Sequence, residues 1–288
     1  MTRLYEYIEK DEVSKLHGMF NDINKKCQPF LKEFKSSNCK NLLFRAVNKK
    51  IKLYEEIKPR QDRLPKDTPL NIHKLLDDKF NENFGWKARS EGVFVSGNTE
   101  KIKPYGLRYI FIPIGKYEYL WSPKIEDLYQ DLDLAVFNKT KFTLSGTNIQ
   151  SFGNNYKNKI EYDKLKKPES IGGSWWYKDI NTRLTKKHNA IEYLKKVKKI
   201  KENEEEIYMS KDFKWFPNIS YDTFIKNKYE NLMAEVDEIM EEMIRTYKDV
   251  NLNGLITHGN EAMFKCNSYY LINFDYRYIL LHFLFRKN

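Results

Sequence analysis

A chain of 288 residues with 41% hydrophobic and 15% aromatic side chains has ample material for a sizeable core, built as one elaborated domain or two small ones. Fifty-one Lys and Arg against 40 Asp and Glu leave a net charge of +11, which favours an anionic partner such as nucleic acid or an acidic protein. Cys27, Cys39 and Cys266 lack CxxC spacing and indicate neither a disulfide framework nor a zinc site; with no apolar run near the ~20 residues of a membrane span and no signal peptide in MTRLYEYIEKDEV, a reducing, intracellular setting is expected.

Residues 11–34 set Val13, Leu16, Phe20, Ile23, Cys27, Phe30, Leu31 and Phe34 at steps of three and four, an amphipathic helix that Pro29 should kink or divide. Asn41 to Val47, NLLFRAV, reads as a short buried strand with Arg45 among apolar neighbours. A guanidinium is costly to bury without an anion, so Arg45 asks either for an internal Asp or Glu or for an anionic ligand. In KPRQDRLPKDTP, Pro59, Pro65 and Pro69 deny regular structure, and Arg60, Arg63 and Lys66 make a basic loop. Helical spacing returns over 70–84 through Ile72, Leu75, Leu76, Phe80 and Phe84, and Gly85 stops it.

GVFVSGN at 92–98 and GLRYIFIPIG at 106–115 are β-rich runs separated by a helix-sized gap, and YEYLWSP then ends at Pro123. Strands alternating with short helices over 41–123 predict a compact α+β core. Residues 129–188 are polar and rich in Asn and Lys, with GGSWWY at 172–177 as the one dense apolar spot, and read as an insertion of weakly defined structure. A basic-then-acidic helix is expected at 189–207. A second starts near Ser220, where Leu232, Val236, Ile239, Met240, Met243, Ile244 and Tyr247 share one face and Asn253-Gly254 ends it. EAMFKC, SYYLIN and YRYILLHFLF close the chain as three expected strands. No clustered His, Asp and Glu set has ligand spacing, so no metal is expected. The chain, 1–288, is thus expected as a single domain: a helical segment over 1–40, a core from 41–128 and 254–288, and an insertion over 129–253 that is helical towards its end.

Arg45 in LFRAV, Ser96 in Phe94-Val95-Ser96-Gly97-Asn98, and Glu261 heading Glu261-Ala262-Met263-Phe264 stand in the order of a known constellation. With Tyr269-Tyr270-Leu271-Ile272 after the glutamate and Ile102-Lys103-Pro104-Tyr105-Gly106 after the serine, the chain resembles the arginine–serine–glutamate branch of the ADP-ribosyltransferase superfamily over roughly residues 40–125 and 255–275. That resemblance implies an α+β fold with a split β-sheet core, flanking helices and a helical insertion. It implies NAD as co-substrate and transfer of ADP-ribose to a macromolecular acceptor, a host protein or nucleic acid, with nicotinamide released; NAD hydrolysis uses the same site.

By the same resemblance Glu261, Ser96 and Arg45 are the catalytic set, with Glu261 stabilising charge at the ribose. Arg45 and Ser96 also hold the dinucleotide, joined by Arg63, by Tyr105 stacking on nicotinamide, and by Ser90 should the register shift. Arg89 and His258 are nearby candidates, and Asn260 is one for acceptor recognition. The sequence departs from the pattern at Gly259, where arginine-directed members carry Glu, and at Gly97 and Asn98. A phage or viral protein acting in host cytoplasm fits the Lys/Asn-rich composition. The competing reading is a catalytically silent nucleotide- or nucleic-acid-binding protein.

Overall fold

The computed structural model of the chain describes residues 10–61, 63, 68–166 and 220–285. GGSWWY at 172–177, the helix expected at 189–207 and Lys66 lie outside the described residues. The fold divides into two compact units, Met1–Leu132 with Met240–Asn288, and Asp133–Ile239.

In the first unit α1 (Lys10–Lys26) and α2 (Gln28–Ser36) separate at Cys27. Pro29 falls in the first turn of α2, where its missing N–H forfeits no intrahelical bond. The spacing of Phe30, Leu31 and Phe34 puts all three on the buried face, and sealing each from water stabilises the fold by about 2 kcal/mol.

Five strands pair antiparallel throughout: β1 (Leu43–Val47), β2 (Tyr54–Ile57), β3 (Val93–Ser96), β4 (Leu107–Trp121) and β5 (Glu261–Asn273). β1 lies along β4, from Leu43↔Phe111 to Val47↔Leu107, and meets β3 at Phe44↔Ser96. β3 lies along the head of β5, from Val93↔Phe264 to Ser96↔Glu261, and β5 follows β4 from Tyr109↔Asn273 to Trp121↔Ala262. The circuit β1–β3–β5–β4–β1 therefore closes a four-stranded barrel. β2 adds to it on the second half of β5.

This closure corrects the expected split sheet. GLRYIFIPIG and YEYLWSP are one 15-residue strand, and EAMFKC and SYYLIN one of 13. Two strands of that length reach from β1 and β2 to β3 without interruption, and the bulge between Ile114 and Tyr117 lets the pair bend instead of parting. YRYILLHFLF is not a strand: a helix occupies Arg277–Phe285. The polar strand β2, YEEI, was not expected at all, because three of its four side chains are only half-buried and show no apolar alternation.

α3 (Leu70–Phe84) ends at Gly85, whose φ of 78° is the left-handed cap expected there. α4 (Ala88–Glu91) leads into β3, and α5 (Thr99–Ile102) fills the gap before β4. α6 (Leu128–Thr140) opens the stretch expected to be weakly structured, which continues as α7 (Ile149–Gly153) and α8 (Tyr156–Lys166). α9 (Tyr221–Ile244) carries the apolar face read from sequence, but Asn253-Gly254 does not end it. Those residues lie inside a separate α10 (Leu252–His258), capped by the Asn251 side chain accepting from the Gly254 amide at 2.9 Å. α11 (Arg277–Phe285) packs its aromatics on the N-terminal helices: Phe283 stacks on Phe20 at 4.4 Å and Phe285 lies 6.0 Å from Phe34.

The second unit has its own aromatic centre. Tyr162 meets Tyr221 at 4.9 Å and Phe224 at 5.4 Å, Phe142 meets Phe152 at 5.0 Å, and the fully buried Asn158 donates to the Phe152 carbonyl at 2.8 Å. Among the described residues no helix is long and apolar enough to cross a membrane, and all three cysteines are buried and free.

Candidate functional site

A cavity of about 690 Å³ opens in the first unit where β1, β3 and the head of β5 converge. Arg45, Arg63, Arg89, Phe94, Ser96 and Glu261 line one part of it. Glu126, Asp127, Gln130 and Asp131, around the start of α6, line another, and Glu100 to Tyr105 lie along the rim.

Arg45 is half-buried on β1 and finds no carboxylate among the described residues. Its Nη1 donates to the Phe94 carbonyl at 2.9 Å, its guanidinium lies 5.8 Å from the Tyr269 ring, and Nε has no hydrogen-bond partner among the described residues. Arg63 sits over the Phe94 ring at 3.9 Å with Nη1 likewise unpartnered. Burial, then the like charges of Arg45 and Arg89, push its pKa down to about 10. Arg89 is 8% exposed. It donates from Nη2 to Thr68 Oγ1 at 3.3 Å, while Nε and Nη1 are sealed without a partner among the described residues. Three guanidinium groups are thus held close enough to repel, with donors that the described residues leave unfilled, a donor set chemically matched to anionic oxygen.

The support for Arg89 comes from α3. Asp77 accepts from the Arg89 amide at 2.9 Å and the Ser90 amide at 3.1 Å, so its carboxylate caps the four-residue α4. The Ser90 hydroxyl donates to its other oxygen, and His73 Nε2 lies 3.0 Å from Ser90 Oγ and 3.3 Å from Asp77 Oδ2. Burial lowers the His73 pKa and outweighs the pull of Asp77. Ser90 is thus committed to this cluster and does not line the cavity. Its carbonyl also receives the Arg63 amide at 3.4 Å, so one buried knot fixes the backbone of two of the three arginines.

Glu261 opens β5, its amide bonded to the Glu126 carbonyl at 3.0 Å. The residue keeps some exposed area, but Oε1 is sealed and has no partner among the described residues. Burial raises its pKa to about 7; Asp127 adds to the rise, and Arg89, Arg63 and the Leu128 amide oppose it. Beneath it lies Tyr247, packed edge-on against Phe80 at 5.0 Å. Its buried hydroxyl has no partner among the described residues, and its pKa is raised by burial and then by the charge of Glu261.

Ser96 is paired across the sheet with Glu261. Its hydroxyl donates to the Gly259 carbonyl at 2.7 Å and accepts from the Asn98 amide at 2.9 Å. With its one proton committed, Ser96 secures the turn that presents Glu261 and can only accept from a ligand. Gly259 has φ of 65°, and a Cβ there would stand 2.7 Å from that of Asn98, so the backbone itself rules out the acidic side chain that the family pattern carries. Asn260 donates to the Ser122 carbonyl at 2.9 Å and accepts from Lys101 at 3.2 Å, and at 5% exposure it ties the turn to its neighbours.

Tyr105 stands on the cavity rim, 56% exposed, and His258 lies elsewhere, 5.5 Å from Trp121. Of the residues singled out in the sequence, Arg45, Arg63, Arg89, Ser96, Tyr105 and Glu261 line this one cavity and Ser90 and His258 do not, while Asp77, His73 and Tyr247 were not among the sequence's candidates. The signal for Asp77 was its i,i+4 spacing from His73 inside an amphipathic helix. Among the described residues no three His, Cys, Asp or Glu side chains group as metal ligands.

Comparison with protein-family models, with curated proteins and with solved structures finds no match for this chain. Together with the closed barrel, this overturns the resemblance to the ADP-ribosyltransferase superfamily. The three short motifs occur in the right order, but on a different sheet.

Proposed function

We propose that the cavity binds NAD and that the chain transfers ADP-ribose from it to a macromolecular acceptor, protein or nucleic acid, with nicotinamide as leaving group. Hydrolysis is the same reaction with water as acceptor. Fold and kinship lend nothing to this reading. It is carried by one observation: three arginines with unfilled donors share a cavity with a sealed carboxyl whose pKa is raised to about 7.

Arg45, Arg63 and Arg89 offer fork-shaped donors to the diphosphate, with Phe94 holding the Arg63 guanidinium in place, and Tyr105 on the rim offers an aromatic face to a base. The bond from ribose C1′ to nicotinamide nitrogen breaks with its electron pair leaving on nicotinamide, and positive charge develops on the ribose. Ionised Glu261 stabilises that charge, as a carboxylate does in glycoside cleavage. The nucleophilic atom of the acceptor then bonds to C1′ and yields its proton to Glu261, a step suited to a carboxyl titrating near neutrality. The free cysteines accord with an intracellular setting, host cytoplasm for a phage protein.

One observation favours the second reading, a silent nucleotide-binding protein: the Ser96 proton is already given to Gly259. Incubation with NAD labelled in the adenylate to follow ADP-ribose and, in parallel, in nicotinamide to follow release, with host lysate and with or without nuclease, separates the two. Wild type is expected to release nicotinamide and Glu261→Gln to release at least about 100-fold less. Equal release by both proteins would refute the enzyme. Arginine-dependent NAD binding without any release would establish the silent form.

A further inference from the structure

We propose that a second cavity, lined by Lys40, Phe44, Asn98, His258, Phe274 and Arg277, binds a nucleotide unit of a single-stranded nucleic acid. The cavity measures about 570 Å³ and has two cations and no carboxylate in its lining, whereas the arginine cavity mixes both signs. A chain with 40 acidic residues that leaves a cleft free of them favours an anion there.

The arrangement of its aromatics selects the kind of anion. The Arg277 guanidinium lies 4.5 Å from the Phe274 ring and 4.2 Å from the Tyr278 ring, and its Nη2 meets the Tyr278 hydroxyl at 3.1 Å. Neither Arg277 nor Lys40 ion-pairs with a described carboxylate, so stacking holds Arg277 while its charge stays available. Arg108 also lies 4.8 Å from Phe274, but Glu100 neutralises it at 3.3 Å. Tyr278 is 67% exposed beside this group. Flat guanidinium and aromatic surfaces flanking a cationic cleft suit a base with its phosphate better than an acidic side chain, which needs no stacking partner.

Its place in the fold ties the cavity to the first. Ser96 lines the arginine cavity, and the next residues, Gly97, Asn98 and Thr99, line this one. A Cβ on Gly97 would stand 2.1 Å from the Ile256 carbonyl, so the chain between the two linings packs tightly against α10. A nucleic-acid strand bound at Arg277 and Lys40 is thus held beside the arginine cavity. The proposal rests on the reading above only in calling that strand an acceptor.

The test is fluorescence anisotropy of a short labelled single-stranded oligonucleotide with the full chain, in the absence of NAD, across a salt series. Lys40→Ala with Arg277→Ala is expected to weaken binding about tenfold and to reduce the slope of log affinity against log salt by about 1.4. Lys40→Ala alone, at an exposed position that leaves the fold intact, should remove about half of that slope change. The control pair Lys32→Ala with Lys116→Ala removes equal charge elsewhere and should leave affinity within about twofold. Equal losses from both pairs, no loss from either, or displacement of the oligonucleotide by polyglutamate at equal charge concentration would overturn the proposal. Because NAD is absent, failure of the ADP-ribosyl reading leaves these outcomes unchanged.

Discussion

Glu33 and Glu261 are two carboxylates of the same unit, one on a helix bonded to barrel strand β4 and one at the head of β5, and they differ in what surrounds them. Glu33, on α2, receives hydroxyl protons from both Tyr117 and Tyr119, the latter at 2.7 Å, so each of its oxygens is filled by the protein. Glu261 faces a cavity with Oε1 sealed and empty-handed among the described residues. A carboxylate whose valences the fold satisfies is a piece of structure, whereas one left short in a cavity is the kind of group on which the proposed function rests. The arginines obey the same distinction: Arg108 has Glu100, while Arg45, Arg63 and Arg89 keep donors spare.

The sharpest way to break this comparison is to exchange each carboxylate for its amide. Glu261→Gln should lower nicotinamide release at least about 100-fold, and Glu33→Gln should leave it within about twofold. If both substitutions silence the protein equally, Glu261 holds no special place.

A stability measurement against pH comes next in size. The folded-state pKa of Glu261 is raised, from 4.5 to about 7. The stability of the folded chain is therefore undiminished by this group below pH 4.5 and is lost as pH rises through 7, by at most about 3 kcal/mol. Glu261→Gln lacks the ionisable group and should gain on wild type across that window, most at pH 8. Denaturant titrations of both proteins at pH 4.5 and pH 8 check the sign; a variant less stable than wild type at pH 8 would mean that the carboxylate is paired after all. Activity should run the other way and rise through pH 7 as Glu261 ionises.

Glu33→Gln supplies the next step down. Gln retains one acceptor oxygen but meets the second tyrosine with an amide N–H, so two charge-assisted bonds become neutral ones and the second hydroxyl must turn to accept. About 2 kcal/mol of stability should go, read as a shift in denaturant midpoint.

What the sequence disclosed follows the same line between local and distant. Arg45, Ser96 and Glu261 could be placed because each sits in a short apolar run whose strand character is local. The barrel could not, because closure depends on β4 and β5 staying unbroken past Gly115 and Asn267, where periodicity weakens. YRYILLHFLF is apolar all round, and such a run has no period by which helix and strand differ. Asp77 and His73 were hidden for a related reason: on paper a polar pair on an amphipathic helix looks solvated, and only packing against α4 buries it.

Arg45 gives the smallest and most discriminating effect. Its side chain donates to the Phe94 carbonyl beside Tyr269, and in exchange imposes a like charge on Arg63. Arg45→Ala removes both. Loss of the bond costs about 1 kcal/mol, and relief of the repulsion returns part of it, so the unliganded protein should lose less than about 1 kcal/mol of stability. An anion in the cavity sees only the loss, since a fork of donors has gone. NAD or pyrophosphate affinity, measured by calorimetry, should fall about tenfold, which is 1.4 kcal/mol. The two numbers move apart only if the guanidinium is kept for a ligand. A large drop in stability with affinity unchanged would put Arg45 with Glu33, as a charge the fold holds for itself.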